Sequence, residues 1–346
     1  MTAKQGKREN KAAVDLSRLL EIVSSFPRRT ITVLGDFVVD EYVTGEISRV
    51  SREAPVLILR HQETQVFPGG GANAANNLVA LGARVLPVGA VGEDHAGSSL
   101  IDYFRAKKVN VAGMIRTRHA GTTTKTRFLA RWSHTARQQV LRVDRELAGN
   151  LPGSVIEKIR KKAQANIAKS DGVLVSDYGC GSVIPELLKR MKAKVVTLDS
   201  RYRLLDYRGA GFTAATPNEA ELEAAHHVKI GKDDKQLETL GQRTLRALGL
   251  QALLVTRGKD GMVLFERAKQ PYRIAVYGAE DAVDVTGAGD TVIAVFTLAL
   301  AAGATFVEAA YLANYGGGIV VMKRGTATVS RTELEAAVRS DASPGQ

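Results

Sequence analysis

Short apolar runs that end in polar breaks recur along this chain, each leading into a stretch with helical spacing, and no other feature restricts the fold as much. Val85 to Val91 leads into an amphipathic segment at 96–107, and the run 172–176 leads into one at 185–192. The runs 195–199, 214–216 and 252–256 continue the series, with amphipathic Leu237 to Leu248 before the last of them. Such alternation predicts an α/β fold with a doubly wound, mostly parallel sheet, because parallel neighbours need crossover helices. Ligands then bind beyond the carboxyl ends of the strands. Polar residues collect there: Gly35-Asp36 after the run 30–34, then Asp177-Tyr178, Asp199-Ser200, Thr216-Pro217-Asn218 and Thr256-Arg257-Gly258.

Two segments break the alternation. Residues 42–67 and 120–143 are strand-like but polar, and both are too long for ordinary connections. They predict inserts forming a small β-sheet lid over the mouth of the main sheet. The remaining organisation is simple: an N-terminal tail and surface helix over 1–29, one domain over 30–335, and a C-terminal tail over 336–346. No Pro/Ser-rich linker or fixed-period repeat divides the chain.

Composition narrows the partners. The net charge is +12, with aromatic residues at 5% and no long Lys/Arg block, zinc motif or helix-turn-helix pattern, so small anionic ligands are expected rather than nucleic acid. No apolar run has the length of a membrane span, and the charged first residues lack a secretory core, so no membrane partner is expected. Cys180 is the only cysteine, which fits a reducing, cytoplasmic setting.

Four motifs carry chemistry. Asp284-Val285-Thr286-Gly287-Ala288-Gly289-Asp290 runs into an apolar stretch, 291–302, and reads as a tight loop feeding a buried helix N-terminus. Such a terminus binds anions, and Asp290 beside it could take a proton from a hydroxyl attacking a phosphate. A capped turn is the plainer alternative. Gly69-Gly70-Gly71 with Asn73 opens a second small-residue helix. Gly69-x-Gly71-x-x-Ala74 loosely fits a dinucleotide fingerprint, but Pro68 is expected to break the strand that fingerprint requires. Close backbone approach to a sugar is the competing use. Asn218 and Glu221 can share one helix face near a metal or phosphate, although Asn218 also suits an N-cap. Thr256, Gly258 and Gly261 could line a nucleotide, or simply turn a hairpin into 262–266. No Walker A sequence is present.

In this order and spacing the four motifs resemble the PfkB/ribokinase family of carbohydrate kinases over about residues 30–332. The segments Gly35 to Tyr42, Ser48 to Val56 and Val283 to Val292 are most similar to its heptose-7-phosphate kinases. The resemblance implies ATP-dependent phosphorylation of a sugar, with O1 of D-glycero-D-manno-heptose 7-phosphate the expected acceptor; another hexose, pentose or sugar phosphate is the alternative. It implies Asp290 as base, with the amides of Gly287, Ala288 and Gly289 holding the transferred phosphoryl group. ATP would lie along Thr256, Gly258 and Gly261, and Mg²⁺ near Asn218 and Glu221; a monovalent cation is a further candidate. Asp36, Asp40, Gly70, Gly71 and Asn73 would hold the sugar, and Arg127, Arg131, Arg201 and Arg203 are candidates for a phosphate on it.

An ordinary ionised Asp290 would suffice for this chemistry. A homodimer through the lid is expected. Bifunctional members carry an adenylyltransferase domain with an H-x-G-H motif; the chain lacks that motif, so kinase activity alone is expected. Two positions depart from the pattern: Cys180 stands where a lysine is usual, and Asp199-Ser200-Arg201 replaces Asp-Pro-Lys. Loss of lysine and gain of arginine would alter phosphate geometry. A nicotinamide-dependent oxidoreductase and a non-catalytic sugar sensor are the other classes that these motifs admit.

Overall fold

The computed structural model describes residues 14–132, 137–146, 150–188, 193–278 and 282–341. In chain order the strands are β1 (Thr30–Gly35), β2 (Phe37–Val50), β3 (Leu57–Gly70), β4 (Arg84–Gly92), β5 (Met114–Thr117), β6 (Thr124–Arg131) and β7 (Gln138–Arg145). They continue with β8 (Gly172–Asp177), β9 (Val196–Ser200), β10 (Ala214–Ala215), β11 (Ala252–Thr256), β12 (Met262–Glu266) and β13 (Tyr272–Ile274).

Nine strands form one sheet in the order β13-β12-β11-β10-β9-β8-β1-β4-β5. The pairings from β11 through β5 are parallel, while β12 and β13 close one edge antiparallel. Helices cover both faces, as an apolar parallel sheet requires. Helices 71–80, 288–301 and 306–320 pack on one side around Leu78, Val295 and Phe296. On the other lie 153–167 and 234–247, around Ile159, Leu237 and Phe265. The expected doubly wound sheet is therefore present.

The second sheet, in the order β3-β2-β6-β7, comes from the two inserts. Its strands extend past the expected limits because β1 passes into β2 with only Asp36 between them, so the chain changes sheets where a loop was expected. Pro68 does not break its strand. It lies in β3, an edge strand, where a missing N–H is tolerated. The glycines do follow a strand directly, but one of the small sheet, so the dinucleotide arrangement is not formed.

Other differences are local. The strand expected at 109–115 is the shorter β5, since the chain turns at Val111 before Met114. The helix expected at 185–192 is described over Pro185–Leu188, and 189–192 lie outside the described residues. So do residues 1–13 and 342–346 of the expected tails. Among the described residues no helix is long and apolar enough to cross a membrane.

Candidate active site

Asp290 sits in the first turn of helix 288–301, whose N-cap, Gly287, has φ 77°. Only glycine holds that backbone cheaply, and a Cβ there would lie 2.5 Å from Asn73 Nδ2. This closeness brings Asn73 onto Asp290. Asn73 Nδ2 donates to Asp290 Oδ2 at 2.9 Å, and the Tyr178 hydroxyl donates to Oδ1 at 2.8 Å. Burial pushes the Asp290 carboxyl up to about 7, against the lowering effect of those two donors. The expectation of an ordinary carboxylate is thus corrected: a group 3% exposed loses too much hydration.

The amides at the helix start divide. Ala288 N–H donates to Val285 O at 3.2 Å, so it is turned away from a ligand, contrary to expectation. Gly287 and Gly289 amides have no protein acceptor among the described residues. Asp284 braces the loop from behind, accepting from the amides of Thr286 and Gly325 at 2.9 Å each. Burial alone would raise Asp284, but those contacts outweigh it and hold the carboxyl below its usual range.

The segment 256–261 reaches the same helix end. Thr256, Gly258 and Gly261 line an apolar cavity of about 190 Å³ that also includes Gly289, Gly317 and Gly318. The plainer reading of 256–261 is present, because the segment turns the β11–β12 hairpin. Gly317 and Gly318 were missed. They belong to helix 306–320, where a three-glycine run would ordinarily argue against a helix. A Cβ on Gly318 would collide with the Tyr277 carbonyl, so glycine permits that approach. The Thr305-x-x-Glu308 capping box is the sequence signal that could have revealed the helix.

Asn218 and Glu221 form a reciprocal capping box, Glu221 N to Asn218 Oδ1 at 2.8 Å and Asn218 N to Glu221 Oε2 at 2.9 Å. The plainer role is therefore present, and Glu221 Oε1 is left over. Asp199, read only as a strand-end acid, joins this region. Burial and the facing Glu221 push its carboxyl up, and burial raises Glu221 as well. Among the described residues no three acidic, His or Cys side chains form a closed metal cage. Two like-charged, dehydrated carboxyls with a spare oxygen nonetheless suit Mg²⁺, which is commonly held by one or two carboxylates plus substrate phosphates.

Several expected sugar contacts are used internally. Asp36 is wholly buried, and its carboxylate accepts from the amides of Tyr178, Cys180 and Ser182 at 2.8 to 2.9 Å. It organises the loop after β8 and has no oxygen facing the cleft; burial and nearby Asp177 raise it to about 6. Gly71 N donates to Asp36 O, and a Cβ there would crowd that carbonyl. Gly70, at φ 54°, leaves room for the Tyr178 ring. Asn73 is fully buried and spent on Asp290 and Asn77. Arg203 is tied to buried Asp177 and the Val183 carbonyl, not to open space.

Asp40, in contrast, lies at the junction of the two sheets. It pairs with Arg127, which stacks over Tyr42, and it accepts from Thr326 Oγ1 at 3.3 Å. A cleft of about 170 Å³ is lined by Lys125, Tyr178, Cys180 and Tyr202, with Glu146 as the acid in its lining. Arg201 stacks between Tyr178 and Tyr202, 6.0 and 5.5 Å from their ring centres. Burial and the Arg201 charge hold the Lys125 ammonium below its usual range. Lys125 was passed over as one cation among many in a strand. Cys180 is inert there, since burial pushes its thiol up to about 12. Arg131 lies at the outer end of β6 and is exposed.

Asp290 thus stands at a helix N-terminus that borders the apolar cavity, and its partner Tyr178 lines the cleft beside Lys125. Solved structures share the scaffold. Ribokinase of Arabidopsis thaliana, complexed with ribose and ATP, matches with TM-score 0.67 at 19% identity over 90% of this chain and 99% of its own. Phosphofructokinase-2 of Escherichia coli, in complex with potassium, gives 0.74 at 17% over 91% and 99%. The family model described as pfkB family carbohydrate kinase matches residues 30–333. The bifunctional protein HldE of Desulfatibacillum aliphaticivorans is 40% identical over 320 residues, and that of Geobacter sulfurreducens 39% over 309. These alignments cover 91% and 87% of the chain but only 64% and 61% of the relatives. The chain belongs to the pfkB family of carbohydrate kinases.

Proposed function

We propose that the chain transfers the γ-phosphoryl group of ATP to a hydroxyl of a phosphorylated sugar, with O1 of D-glycero-D-manno-heptose 7-phosphate as acceptor. The observation that carries this reading is the position of Asp290, next to Gly289 of the apolar cavity and bonded to Tyr178 of the cleft that Lys125 lines. Asp290 accepts the proton of the attacking hydroxyl. The amides of Gly287 and Gly289 hold the charge that develops on the transferred group, each such donor contributing about 3 kcal/mol by analogy with other oxyanion sites. The adenine lies in the glycine-lined cavity, along Thr256 and Gly261.

Mg²⁺, when bound, neutralises the ATP phosphates; Glu221, through its spare oxygen, and Asn218 would hold it directly or through water. Asp40 orients the sugar, with Arg127 fixing its rotamer. Lys125 and Arg201 take the phosphate on the substrate. A monovalent cation is a candidate activator, read by comparing rates in potassium and in a bulky organic cation.

The small sheet acts as the lid. One of its faces exposes Leu57, Val140, Leu141 and Val143, an apolar surface that pairing with a second copy would cover. Light scattering on the chain tests the dimer, and a monomer at micromolar concentration would remove it.

A Mg-ATP screen across heptose, hexose and pentose phosphates and the free sugars tests the function. The heptose phosphate should give the highest kcat/KM. Preference for an unphosphorylated sugar would overturn the acceptor. Because Cys180 and Arg201 replace lysines in the cleft, another sugar phosphate is the second reading, and the same screen decides it.

A further inference from the structure

We propose that Tyr178 is a positioning residue for the base: its hydroxyl fixes the Asp290 carboxylate and favours its ionised form, and Lys125 of the small sheet holds the tyrosine ring in place. This rests on the kinase reading for its consequence in turnover, but its geometry stands independently. The hydroxyl donates to Asp290 Oδ1 at 2.8 Å, opposite the Asn73 bond to Oδ2. Each carboxylate oxygen keeps a further lone pair, so a substrate hydroxyl can still donate to it.

The tyrosine is held at both ends. Its backbone N–H donates to buried Asp36 at 2.9 Å, the next two alternate amides do the same, and Gly179 N donates to Asp177 at 3.0 Å. Lys125 Nζ lies 5.4 Å from the ring centre and Arg201 6.0 Å. A cation over a tyrosine face is attractive, and more so away from water. Lys125 is on β6, whereas Tyr178 follows β8, so this contact joins the small sheet to the base through a single side chain.

Tyr178 remains a donor rather than an anion, because burial and the facing Asp290 raise its hydroxyl well above the usual range. The other groups acting on the base are few. Asp40 from β2 opposes its ionisation and Lys125 from β6 favours it, while the charge of Asp290 in turn raises Asp199 in β9. Tyr178 is the one among these that both touches Asp290 and contacts the small sheet.

The carboxyl ¹³C resonance of Asp290, assigned by its loss in Asp290→Asn, reads the proposal in the whole chain. In the wild type it should titrate near 7. Tyr178→Phe removes one donor and should raise the midpoint by about one pH unit. In turnover this lowers kcat about fivefold near pH 7, with recovery by about pH 9, whereas loss of packing would lower the rate at every pH. Incorporation of 3-fluorotyrosine at 178 keeps the shape and strengthens the donor, so the midpoint should move down.

Opposite shifts in the two variants support the proposal. An unmoved midpoint in either, or movement in the same direction in both, overturns it. If Tyr178→Phe does not fold, the fluorotyrosine titration decides alone. A wild-type chain that transfers no phosphoryl group to any sugar overturns the kinase reading only, since the resonance titrates regardless.

Discussion

The two halves of the site are built differently. On the nucleotide side, Gly287, Gly317 and Gly318 bring helices and backbone so close that side chains are excluded, and the surroundings are apolar. On the sugar side, Lys125, Arg127 and Arg201 reach in from the small sheet and from a strand-end loop, and they are held by stacking and pairing. On the proposed reading, backbone geometry sets the position of ATP and base, and long charged side chains set the contacts to the sugar.

If that division holds, substitutions should weaken in effect from the first half to the second. Asp290→Asn should keep the fold and ATP binding but lose roughly 10²-fold or more in kcat. Steady-state rates beside an ATP titration read it, and near-normal turnover would remove Asp290 as base. Gly287→Ala should cost about 1–2 kcal/mol in stability for its left-handed backbone. It also pushes Asn73 off Asp290, so kcat should fall about tenfold. A thermal melt and a rate measurement test both parts, and an unchanged kcat would show that the glycine only turns the chain.

Arg201→Ala should have the smallest effect. KM for a phosphorylated sugar should rise several-fold, by about 1 kcal/mol of lost charge-assisted contact, with kcat and the KM for ATP unchanged. An equal loss with an unphosphorylated sugar would place Arg201 outside the phosphate cleft and blur the division.

Legibility in the sequence followed the same line. The alternation of strands and helices and the glycine–acid loop at 284–290 rest on local spacing, and the structure forms both; Thr256, Gly258 and Gly261 share one cavity with Gly289. Asp36 and Asn73 were read as ligand groups because both stand where a sheet of this kind binds ligands. The amides that occupy the Asp36 carboxylate, and the Asp290 carboxylate that takes the Asn73 amide, come from segments more than 140 residues away. Arg203 misled in the same manner, since its partner Asp177 lies on another strand.

The sequence by itself determined the alternation of strands and helices, the glycine–acid loop that feeds helix 288–301 and the absence of a Walker A motif, because periodicity, glycine placement and motif spacing are local properties of the chain. Only the tertiary structure decided that Tyr178 meets Asp290, that three glycines continue a helix, and that Asp36 serves a loop. Those outcomes depend on which polar groups lose water together, and pairing across distant strands settles that after the local elements are in place.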